Sequence, residues 1–129
     1  MRKTLGYAAL IAAIGAGGAG AVEAPVAAAS QTVVYTFGMA CHWQGPAVRP
    51  GEIGFGAHYD VANLHWSTWR PLSATGRGHY YGFGSYNANV KLYRVKVHNG
   101  QKYFAWISIT SRGHPNRYLQ YSGGCWYTR

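Results

Sequence analysis

The chain has 129 residues, 12 Lys and Arg against 3 Asp and Glu, a formal net charge of +9, and 16% aromatic residues. So few acids leave little room for chemistry that needs paired carboxylates, and two cysteines without a Cys-x-x-Cys spacing argue against a dithiol redox centre. The length bounds the protein to a single modest domain.

In chain order, the first feature is a secretory signal pattern. Arg2 and Lys3 precede an apolar run over residues 5–22, followed by Ala27-Ala28-Ala29-Ser30. A charged start, an apolar middle and a small-residue cleavage site are the three parts a signal peptide needs. The Ala- and Gly-rich run is too weakly apolar to hold a bilayer well, so residues 1–30 are expected to be removed, with no integral membrane span in the mature form. Residues 31–129 then form a secreted, extracellular domain. Arg2, Lys3 and Glu23 leave with the signal; the ten remaining cations against Glu52 and Asp60 give a net charge of +8. A field of that sign favours anionic partners.

Beyond the signal, short runs of β-branched and aromatic residues alternate with glycine-rich stretches, the pattern of an all-β protein. Residues 32–37 read as the first strand and residues 45–56, with two prolines and four glycines, as a loop. Residues 61–69 read as a second strand, with Leu64, Trp66 and Thr68 on one face and His65, Ser67 and Trp69 on the other. Residues 76–84 read as a loop or as a strand broken by glycine around residues 79–81. Gly76-Arg77-Gly78-His79 has a phosphate-loop flavour, but no helix or Lys-Ser/Thr pair completes it, so it reads as a backbone turn. Asn99-Gly100 between two apolar runs predicts a two-residue type I′ hairpin. That turn places His98 opposite Gln101, Val95 opposite Phe104 and Tyr93 opposite Trp106, with Leu92 opposite Ile107 and Val90 opposite Ile109 on the other face. Lys96, His98 and Lys102 should carry the tip into solvent. Residues 118–121 and 124–127 read as closing strands. About seven short antiparallel strands suit a small single-domain sandwich or barrel. Cys41 and Cys125, near the two ends of this domain, are expected to form one disulfide.

Residues 64–69 (Leu-His-Trp-Ser-Thr-Trp), residues 74–78 (Ala-Thr-Gly-Arg-Gly) and the valine-rich strand at residues 90–97 with Tyr103-Phe104 resemble small secreted, largely uncharacterised proteins of actinomycetes. Those carry a Trp-x-x-Trp, a Gly-x-Gly and a valine-rich strand. The resemblance covers residues 61–109 and implies secretion and an all-β domain; it supplies no catalytic residues. Many such proteins have extra cysteines that this chain lacks.

Catalytic patterns are sparse. Glu52 and Asp60 are expected to pair with cations rather than with each other. No Gly-x-Ser-x-Gly elbow supports a secreted hydrolase. His58, Asp60 and His65 lack zinc-ligand spacing, so no metal, cofactor or catalytic residue is expected. Most of the aromatic rings are expected in the core, where each buries ~150–250 Å². Surface recognition remains. Trp69, Arg70, Arg77, His79, Tyr80 and Tyr81 form one basic-aromatic cluster; Arg112, His114 and Arg117, in a loop over residues 111–118, form a second. Interleaved cations and rings grip anionic polymers through charge and stacking. The expected function is a basic, aromatic-rich binding module for a cell-wall polymer or an acidic protein surface. The alternative is an adaptor or inhibitor subunit of a secreted assembly, docking through the strand at residues 32–37.

Overall fold

The computed structural model describes residues 31–37 and 41–129; the expected signal peptide, residues 1–30, lies outside the described residues. In the described residues nine strands follow one another: β1 (Val34–Phe37), β2 (Gln44–Ala47), β3 (Ile53–Gly56), β4 (Tyr59–Trp69), β5 (Ala74–Gly82), β6 (Gly84–His98), β7 (Gln101–Thr110), β8 (Arg117–Ser122) and β9 (Cys125–Thr128). The described residues contain no helix. All nine strands belong to one sheet of order β2-β1-β3-β4-β5-β6-β7-β8-β9, curled into a half-barrel. The all-β expectation holds, whereas a two-sheet sandwich does not. The count rises from about seven to nine because the expected loop over residues 45–56 contains most of β2 and all of β3. Pro46 is tolerated there because β2 is an edge strand, where a missing N–H breaks no ladder. One junction, β1 beside β3 at Phe37↔Gly54, is parallel.

The hairpin β6–β7 has the expected register throughout, from His98↔Gln101 through Val95↔Phe104 and Tyr93↔Trp106 to Leu92↔Ile107 and Val90↔Ile109. Asn99 and Gly100 both adopt positive φ, 49° and 77°, the conformation a type I′ turn requires. The turn residues are exposed, but His98 is not simply in solvent: its ring stacks on Trp43 at 3.5 Å between centroids. Strict alternation in β6 sends Tyr86, Ala88, Val90 and Leu92 into the core and leaves Ser85, Asn87, Asn89 and Lys91 outside.

Of the two readings for residues 76–84 the strand holds, up to residue 82, and the turn expected at Gly76-Arg77-Gly78-His79 does not. The segment is part of the continuous strand β5, paired with both β4 and β6. Its glycines let β4 lie close: a Cβ at Gly76 would stand 2.7 Å from the His65 carbonyl oxygen, and one at Gly78 would stand 2.8 Å from that of Ala62. The register of β4 against β5 shifts twice, between Ala62 and His65 and between Trp66 and Thr68. The second irregularity corrects the expected faces of β4. Trp69 lies opposite the fully buried Ala74 and packs its ring edge-on to Phe104 at 5.5 Å, away from the outward His65 and Ser67. A bulge exchanges the faces of every residue beyond it.

The curl is closed by the chain's first strands. Val33 bridges to Tyr103 of β7, accepting from the Phe104 N–H at 2.9 Å and donating to the Lys102 carbonyl at 3.1 Å. In the strand order β1 is an interior strand between β2 and β3, so residues 32–37 do not supply the free edge that the alternative adaptor reading assigned to them; the sheet's edges are β2 and β9. Inside the curl, Tyr35 stacks on Tyr121 at 5.4 Å and meets Trp43 and Tyr103 edge-on. Trp126 donates its indole N–H to the Tyr35 carbonyl, and the Tyr121 hydroxyl donates to that of His42. Cys41, just before β2, is bonded to Cys125 at the start of β9, 84 residues on. The bond joins opposite ends of the sheet.

Candidate binding face

The outward positions of β4 to β7 form a polar array fixed by strand register. His65, Arg77, Asn89 and Thr110 make one row across the four strands, and Thr75, Lys91 and Ser108 make the next across β5 to β7. Two adjoining grooves of about 440 and 320 Å³ run over this array and share Arg77 and Asn89. The larger is lined by Asn63, His65, Arg77, His79, Asn87, Asn89, Ser111 and Arg112 among others, the smaller by Lys91 with Ser and Thr hydroxyls. No carboxylate lines either groove. Three cations thus share a strip of amides, imidazoles and hydroxyls.

Local bonds hold this surface in shape. The His79 ring is fixed at both nitrogens, 2.9 Å from Asn87 Oδ1 and 2.6 Å from Ser85 Oγ. Ser111 donates its hydroxyl to the Asn87 carbonyl at 2.7 Å, tying the loop that carries Arg112 to β6. The next register row is aromatic: Tyr93, Trp106, Gln120 and Tyr127 lie side by side across β6 to β9. Arg94, held at φ 56° in a region that costs a non-glycine residue about 1–2 kcal/mol, places its guanidinium 4.8 Å over Trp106. Lys91 lies 5.9 Å from the Tyr93 ring. Burial pushes the Tyr93 hydroxyl above its ordinary pKa, with Arg94 pulling the other way.

The sequence-derived candidates divide between the two sides of the sheet. Arg77, His79 and Arg112 meet in the outer groove, although 35 residues of chain separate the two arginines. Tyr81 stands beside them, its ring 4.6 Å from His79. Trp69 is a packing residue whose indole N–H donates to the Thr32 carbonyl at 3.0 Å. Arg70 lies at the β4–β5 turn, where its N–H donates to the Ser73 carbonyl. Tyr80 is buried on the inner side, and Arg117 sits over its ring at 5.4 Å; Arg117 opens β8 rather than belonging to a loop. His114 stacks on Tyr86 at 3.8 Å. Sequence reasoning missed Asn63, His65, Asn87, Asn89, Lys91 and Trp106. The alternation over residues 85–92, polar then apolar without a break, is the signal that identifies Asn87, Asn89 and Lys91 as one exposed face.

Among the described residues Glu52 and Asp60 are set against each other, not against the cations expected. A side-chain hydrogen bond with Asp60, then partial desolvation and the charge of Asp60, raise the Glu52 carboxyl above its usual range. Glu52, just before β3, lies diagonal to Asp60 of β4, which faces Gly54. Among the described residues no group of three His, Cys, Asp or Glu is placed to hold a metal ion. Comparison with protein-family models, with curated proteins and with solved structures returns no match for this chain.

Proposed function

We propose that this protein is a secreted binding module that holds an anionic polymer along the outer face of its sheet. One observation carries the reading: two strand-separated arginines, Arg77 and Arg112, converge with Lys91 on a continuous groove that no carboxylate lines. Guanidinium groups bind carboxylate and phosphate oxygens in fork geometry, and the amides and hydroxyls between them suit the neutral parts of a polymer. Beside the groove lies the half-buried pair Tyr93 and Trp106, where Arg94 over the Trp106 ring adds a further cation. Export is supported by the signal-like start of the chain, by the resemblance to secreted actinomycete proteins, and by a disulfide, a bond that persists in oxidising compartments. The role is recognition rather than catalysis.

The test is retention on a heparin-like resin and on acidic cell-wall polymer. Binding should weaken steeply from about 50 to about 200 mM salt, as expected where cations displace counterions from a polyanion. The Arg77→Ala/Arg112→Ala double variant should lose most of it with the melting temperature unchanged, while Arg70→Ala, at the far turn, should bind as the wild type does. Equal retention of the double variant and the wild type would remove the groove from the account.

A further inference from the structure

On the opposite side of the sheet from the outer groove, a cavity of about 390 Å³ opens where the start of β4, the β5–β6 tip and the strands β8 and β9 converge. Its walls are rings: Phe55, Tyr59, Tyr80, Phe83 and Trp126. Tyr80 and Trp126 are buried, whereas Phe83, at the β5–β6 hairpin tip, is 70% exposed. The single strong cation among the lining residues is Arg117, and no carboxylate is among them.

Arg117 is held by rings rather than by an acid. Its guanidinium lies 5.4 Å from the Tyr80 ring centre and 5.7 Å from that of Phe83. Its Nε is buried and has no hydrogen-bond partner. Leaving a buried charged donor unpaired is unfavourable, and a guanidinium that lies against rings with no acid beside it retains the donors that a carboxylate accepts from in parallel. The volume lies near the lower end of the range for small-molecule sites, about 300–1,000 Å³. A ring-lined cavity with one guanidinium, flanked by His58 and Thr128 and by no carboxylate, suits a compact apolar body carrying one negative charge.

We propose that this cavity is a second binding site, independent of the outer groove, for a small aromatic carboxylate. The ring of the ligand lies among Phe55, Tyr59 and Trp126, and its carboxylate accepts from the Arg117 guanidinium, including the Nε–H that the fold leaves unpaired. Phe83 covers it from the tip of the hairpin. The site is separate in residues from the outer groove, so either one can fail without the other.

The test is titration of the purified protein with phenylacetate, followed by the NMR signals of the Arg117 Nε–H and the Trp126 ring. Phenylacetate at millimolar concentration should move both. Phenylacetamide, which keeps the ring and loses the charge, and acetate, which keeps the charge and loses the ring, should each bind at least about tenfold more weakly, the scale of one charge-assisted hydrogen bond. Arg117→Ala should abolish the response. Phe83→Ala, a change at an exposed tip that leaves the core intact, should weaken it several-fold and serves where Arg117→Ala does not fold. The Arg77→Ala/Arg112→Ala variant should respond as the wild type does. An unmoved Arg117 Nε–H, or equal binding of acid and amide, would overturn the proposal.

Discussion

At the scale of single residues, the core is unusual in how many hydroxyls it encloses. Tyr35, Tyr103 and Tyr121 are all buried around one another. Burial raises the pKa of each, and the Tyr121 hydroxyl is pushed up to about 12, by desolvation first and by the neighbouring Tyr35 second. A tyrosine whose folded pKa exceeds its unfolded value near 10 stabilises the fold fully below pH 10, and that contribution disappears as pH rises through 12. Stability should therefore fall between pH 10 and 12, with tyrosinate absorbance from these rings appearing together with unfolding rather than before it. Tyr121→Phe should make the decline shallower, because it removes the most shifted group. Smooth titration of every tyrosine near pH 10 in a folded protein would contradict this account.

At the scale of elements, local chemistry decided what the sequence could disclose. The β6–β7 register was legible because Asn99-Gly100 admits essentially one hairpin turn, and a fixed turn determines every pair behind it. The disulfide was legible because two cysteines admit one intramolecular pairing. β2, β3 and β5 were obscured by glycine and proline, residues that usually mark turns and that here serve an edge strand and a close strand approach. The face of Trp69 was obscured by a bulge, which leaves no mark in the residue types. Half of the outer groove was readable as cations, Arg77 and Arg112. The other half, Asn63 and His65 on β4 with Asn87 and Asn89 on β6, depends on strand order, which no local pattern contains. The glycines of β5 make this concrete. Gly78→Ala should lower stability by about 1–3 kcal/mol, the cost of forcing a methyl into a packed interior, because its Cβ would meet the Ala62 carbonyl and the Leu64 side chain at 2.8 Å. Gly51→Ala, with nothing within 4 Å, should leave the melting temperature nearly unchanged. Equal melting temperatures for the two variants would mean that the β4–β5 approach is looser than described.

At the scale of the whole molecule, the question is what keeps a nine-stranded sheet curled without closing it by a continuous ladder. Three kinds of contact span the gap between its ends: the Val33–Tyr103 bridge, the Trp126 and Tyr121 bonds to the carbonyls of Tyr35 and His42, and the Cys41–Cys125 bond. The first two have formed only once the sheet has curled, so they reward closure late. The disulfide acts on the unfolded chain as well, since joining residues 84 apart removes conformations worth about 4.5 kcal/mol by loop-entropy reasoning. For a domain of this size that is close to the whole net stability. Reduction should accordingly lower the melting temperature by more than about ten degrees, at roughly 4–8 °C per kcal/mol. The spatial pattern of the loss discriminates further. If the disulfide is a staple across the open side, reduction should expose the amides of β9 and of β1 to β3 to hydrogen exchange first, while the β5–β6–β7 ladders stay protected until global unfolding. Uniform loss of protection across all nine strands would instead show that the bond acts only through the unfolded chain. An unchanged melting temperature would show that the aromatic cluster closes the curl unaided.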